Sequence, residues 1–267
     1  IAFTSGKSTG GKGGSITLSV GEGDTGVGGD FSVSAGNTIA ESGTTGGKVI
    51  LQSGESVLTS SGAFTLSTPN AGIAGVSGNL DLTSGTSSVG NSGTISLSTG
   101  KSTGGKGGSI TLSVGEGNTG IGGDVTVNAG ITSASDNTGG AVTIASGKGT
   151  ATSSGAVSIS TSNGGTAGVS GNIGLTTGDT ANGNTGTIAF TSGKSTGGKG
   201  GSITLSVGEG NTGVGGDVTV NAGKTSASNS AGGIVTIQSG ASTQGRSGKI
   251  ALNTLNGGVS GDIEMET

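Results

Sequence analysis

The chain has 267 residues, of which 65 are glycine and one is proline, with 28% hydrophobic and 10% charged residues and a net charge of −4. So little apolar side chain speaks against a conventional globular core, and single scattered charges point to neither nucleic acid nor an anionic membrane as partner. Cysteine, histidine and tryptophan are absent, no apolar run approaches the roughly 20 residues of a bilayer span, and glycine does not recur at every third position as collagen requires.

From the first residue onward the apolar side chains come in pairs spaced by two. They run Ile16/Leu18, Phe31/Val33, Val49/Leu51, Phe64/Leu66, Leu80/Leu82, Ile95/Leu97 and Ile110/Leu112, and continue to Ile250/Leu252 and Ile263/Met265. Period two, with serine or threonine commonly between the apolar residues, predicts short strands with one inward face, because successive side chains in a strand alternate sides. Glycine-rich stretches such as Gly13-Gly14 and Gly21-Glu22-Gly23 separate the strands and are expected to be corners with positive φ and close backbone approach. Strand plus corner occupies about fifteen residues, giving eighteen units in the chain.

A longer period overlies the short one. Gly-Lys-Ser-Thr-Gly-Gly-Lys-Gly-Gly-Ser-Ile-Thr-Leu-Ser-Val-Gly-Glu-Gly occurs three times, with its first lysine at Lys7, Lys101 and Lys194, so the long repeats run about 7–100, 101–193 and 194–267. Every third strand opens on an acid or its amide: Asp30, Asn79, Asp124, Asn172, Asp217 and Asp262. Three residues ahead of each stands a β-branched side chain: Val27, Val76, Ile121, Val169, Val214 and Val259.

These recurrences predict an all-β, right-handed parallel β-solenoid (β-helix), triangular, with three strand-turn units or about 46 residues per coil, in which the two sets stack as structural ladders. The alternative is one unit, about 15 residues, per coil. Residues 1–267 would form a single continuous array, a segment of a longer solenoid with any secretion signal outside it. Uncapped ends would then favour joining to further copies, so the expected partner is the chain itself, end to end or laterally in a fibre, with no nucleic acid and no membrane insertion.

Motifs for chemistry are weak. Gly21-Glu22-Gly23-Asp24-Thr25-Gly26 fits the glycine pattern of dinucleotide-binding turns but leads into a strand pattern where a helix is needed, and Gly6-Lys7-Ser8 lacks the upstream glycine of a phosphate-binding loop. Asp30, Asp124 and Asp217 are the calcium candidates, beside the plainer expectation that they satisfy exposed corner amides. A carbohydrate-active β-helix would need clustered carboxylates and a base, yet Arg246 is the only arginine and no acidic cluster adjoins it. No catalytic residue and no cofactor are expected. Asn-x-Ser/Thr is absent, which leaves O-linked sugars as the glycan expectation.

Thr17/Ser19, Thr65/Ser67, Ser96/Ser98 and Thr111/Ser113 form hydroxyl pairs that are similar to the T-x-T faces of insect ice-binding solenoids. Units such as Gly-Gly-Ser-Ile-Thr-Leu-Ser-Val-Gly-Glu-Gly, repeated along the whole chain, resemble the long Gly/Ser/Thr-rich repeat proteins of extracellular surfaces in unicellular algae and related protists. That resemblance implies secreted fibres, hairs or matrix. The expected function is therefore a non-enzymatic extracellular or cell-surface filament, hair or stalk segment; the alternatives are an ice-binding or adhesive surface and, behind both, a carbohydrate-active β-helix.

Overall fold

The computed structural model describes residues 1–40, 42–255 and 260–266. The chain divides into two units, Ile1–Val127 and Asn128–Thr267, built on one local plan. Extended segments carrying the apolar pairs alternate with loops, and each loop turns at a sharp bend. Sixteen bends fall among the described residues, the first at 9–11 and the last at 243–245, with their centres about fifteen residues apart. Twelve of these bends hold a glycine; those at 57–59, 135–136, 150–152 and 227–229 hold none, and the expected corners Gly13-Gly14 and Gly21-Glu22-Gly23 lie beside the bends at 9–11 and 24–26, not in them.

At each neck the residue that ends one segment borders the space that a β-carbon would fill on the glycine that opens the next. In Ile1–Val127 the contacts include Ser5 with Gly14, Val20 with Gly29, Ala35 with Gly47 and Ser53 with Gly62; in Asn128–Thr267 they include Ala129 with Gly140, Ser146 with Gly155, Val207 with Gly216 and Ala222 with Gly233. A methyl group on Gly29 would lie 2.5 Å from Cγ1 of Val20, and on Gly123 and Gly216 it would lie 2.8 Å from Cγ1 of Val114 and Val207. A glycine is needed there because the valine occupies the space of a β-carbon. At seven of these necks a backbone hydrogen bond joins the two sides; Gly47, Gly140 and Gly233 donate at 2.8 Å to the carbonyls of Gly36, Gly130 and Gly223, and Gly62, Gly155 and Gly248 donate at 2.8 to 2.9 Å to those of Gly54, Gly147 and Gly240.

The extended segments themselves do not pair. Among the described residues there is no helix and no β-strand, and no residue is buried. The accessible surface is 26419 Å², against about 10,000 Å² expected for a compact monomer of 24.4 kDa and about 35,000 Å² for the unfolded chain. These observations correct the expected fold: the described residues form neither a right-handed parallel β-solenoid nor its coils, whether of three units or of one. The physical reason lies in the necks. Each segment is followed by a chain that returns to where it left within 9 to 12 residues, so the backbone closes locally and not on a partner strand. Period-two alternation fixes which way side chains point but names no partner strand.

The corner glycines also differ from expectation. Among the described glycines, positive φ is confined to Gly43, Gly75, Gly120 and Gly213, with φ of 80° at both Gly120 and Gly213, which occupy the same place in successive long repeats. Those four lie in the bends, whereas at the necks glycine serves close approach.

Candidate functional site

Among the described residues no group is buried and no cavity is present. The loops order themselves through hydroxyl side chains. Ser87, Ser102, Ser195 and Ser242 each accept a hydrogen bond from the amide three residues on, at Gly90, Gly105, Gly198 and Gly245, over 2.8 to 3.0 Å. Thr38, Thr132 and Thr225, related by the long repeat, accept from the amides of Ala40, Ala134 and Ala227 at 3.1 to 3.3 Å. These are the local serine and threonine turns that compete with regular secondary structure, and here they prevail because no neighbouring strand offers the amides a better acceptor.

The two sets of ladder residues lie on loops and at the openings of the segments that follow them. Val27, Val76, Ile121, Val169 and Val214 are 94 to 99% exposed, so none rests against another side chain; Val259 lies outside the described residues. Asp30, Asn79, Asp124, Asn172, Asp217 and Asp262 each follow directly on the glycine that opens an extended segment and are exposed as well. No group of three or more acidic side chains converges among the described residues. Nor is any helix among them long and apolar enough to cross a membrane.

What recurs along the chain is a module of two oppositely charged loops in succession. Residues 7–30, 101–124 and 194–217 differ from one another only at Asp24/Asn118/Asn211 and Val27/Ile121/Val214. In each, a basic loop (Lys7 and Lys12, Lys101 and Lys106, Lys194 and Lys199) is followed by the uncharged segment Ser-Ile-Thr-Leu-Ser-Val and then by an acidic loop together with the acid just past its closing glycine (Glu22, Asp24 and Asp30; Glu116 and Asp124; Glu209 and Asp217). All of these charged side chains are exposed. Along the intervening segment, Ile16 and Val20 are 50% and 47% exposed and Leu18 67%. Reading motifs one at a time missed this module; its signal was the alternation of Lys-Ser-Thr-Gly-Gly-Lys with Gly-Glu-Gly at one-unit spacing. Comparison with known protein families, with curated proteins and with solved structures finds no match.

Proposed function

We propose that this chain is a structural segment of an extracellular or cell-surface fibre, a spacer whose length comes from repetition and whose partner is further copies of itself. The observation that carries the reading is the recurrence of one loop-and-segment plan among the described residues: sixteen bends at about fifteen-residue intervals, each loop closed on a glycine, with the aliphatic side chains of the segments left in contact with water. Such a plan adds length by adding units. Half-exposed aliphatic rows on unpaired backbone favour association with similar segments. The texture-level resemblance to surface repeat proteins of algae and protists supports the extracellular setting.

Negative-stain electron microscopy of the purified chain at rising concentration, with immunogold labelling of the cells that make it, tests the proposal. Fibres or lateral bundles in the first and label outside the plasma membrane in the second are expected. Particles that stay monomeric at every concentration, or label confined to the cytoplasm, would overturn it.

A further inference from the structure

Resting on that reading of self-association, we propose that residues 7–30, 101–124 and 194–217 are docking modules for a second copy of this chain, each meeting another module in antiparallel orientation so that basic loop faces acidic loop at both ends.

Three observations converge on this. The two loops of a module are separated by the extended run between Gly14 and Gly21, about 23 Å at about 3.3 Å per residue. That exceeds two screening lengths at physiological ionic strength, so the two loops do not neutralise one another within the chain. Their charges are therefore available to a partner. The segment between them is free of charge and of proline, alternates aliphatic with hydroxyl side chains, and is unpaired along its backbone. It has the composition of a strand that accepts another strand at its edge. Finally, the charge pattern selects the direction. A parallel pair in register would set Lys7 and Lys12 against lysines and Glu22 against a glutamate, whereas an antiparallel pair sets Lys7 and Lys12 against Glu22 and Asp30 of the other copy, and the reverse.

The contact is two-fold and self-complementary, and because the 18-residue repeat is identical in all three, any module accepts any other. Three modules on one chain make it trivalent toward itself. Assembly is then a linked process in which a second and third contact between the same chains raise apparent affinity by about 10² to 10⁴ over one contact. This pairing is between copies, and it leaves the loops of each chain as they are.

Sedimentation velocity of the full chain, with circular dichroism on the same samples, tests the inference. At low salt the chain should associate and gain sheet signal, and half-molar salt should weaken association by about tenfold or more. Replacing all six module lysines by glutamate (K7E, K12E, K101E, K106E, K194E, K199E) should abolish self-association. The reverse set (E22K, D30K, E116K, D124K, E209K, D217K) should do the same, and mixing the two variants should restore assembly. Association of either variant alone at wild-type strength, or failure of the mixture to associate, would overturn the docking modules while leaving the fibre reading intact. A wild-type chain that remains monomeric at all salts would overturn both.

Discussion

Gly233 sits where a loop begun at Ala222 comes back on itself, and its amide donates to the Gly223 carbonyl at 2.8 Å. A methyl group there would stand 3.0 Å from the Gly223 nitrogen and 3.3 Å from Cβ of Ala222, and neither neighbour is the free end of a side chain that could swing aside. Gly233→Ala should therefore lengthen or break the neck bond, worth about 1 kcal/mol. Amide exchange at residue 233 measured by NMR should speed up about fivefold, with no change in the loops of Ile1–Val127. At Gly29 the obstruction is a side chain, Cγ1 of Val20, so Gly29→Ala should open the neck and the double variant with Val20→Ala should close it again. Non-additive exchange rates at residue 29 across the four proteins are the expected outcome; purely additive rates would dissociate the valine from the neck.

The loop is the element of this chain, and its stability depends on closure more than on content. Enclosed lengths differ: Ser5 meets Gly14, whereas Ala35 meets Gly47. Loop-closure entropy rises only as the logarithm of length, so going from eight to eleven enclosed residues costs about 0.3 kcal/mol. Inserting four serine or glycine residues beside Lys148, between Ser146 and Gly155, should by the same relation destabilise that neck by only about 0.4 kcal/mol. The Gly155 amide, which donates to Gly147 at 2.9 Å, should stay protected from exchange to within about a factor of two. Much of this element was legible in the sequence. Twelve of the sixteen bends among the described residues hold a glycine, and pairs such as Ile16/Leu18 lie between bends. The role of the glycines was harder to read, because φ at Gly14 or Gly29 depends on contact with a residue nine positions earlier, and nothing in Gly-Gly itself separates a positive-φ corner from a crowded neck. The expected ladders misled for a related reason. Val27 and Val76 recur at the third unit, but recurrence places them at equivalent loop positions without saying that equivalent loops touch, and at 98% and 94% exposure they do not.

For the whole molecule the decisive quantity is surface. A compact monomer of this mass would expose about 25,000 Å² on unfolding, the difference between about 35,000 and 10,000 Å², whereas this chain already exposes 26419 Å² and has only about 9,000 Å² left to expose. Denaturant sensitivity follows the area exposed, so the slope of unfolding free energy against urea should be about a third of that of a globular protein of equal length. The transition should also be gradual, because the necks each close locally and no buried core couples them among the described residues. The measurement belongs in high salt, where contacts between module charges are screened and the single chain is observed. There, urea titration followed by NMR should give neck-by-neck curves with different midpoints, those with a backbone bond, such as Gly47 to Gly36, outlasting those closed by side-chain contact alone, such as Gly78 on Thr68. One sharp transition with a full-sized slope would mean that the necks are coupled through a buried interior, and would overturn the account of this chain as a string of independently closed loops.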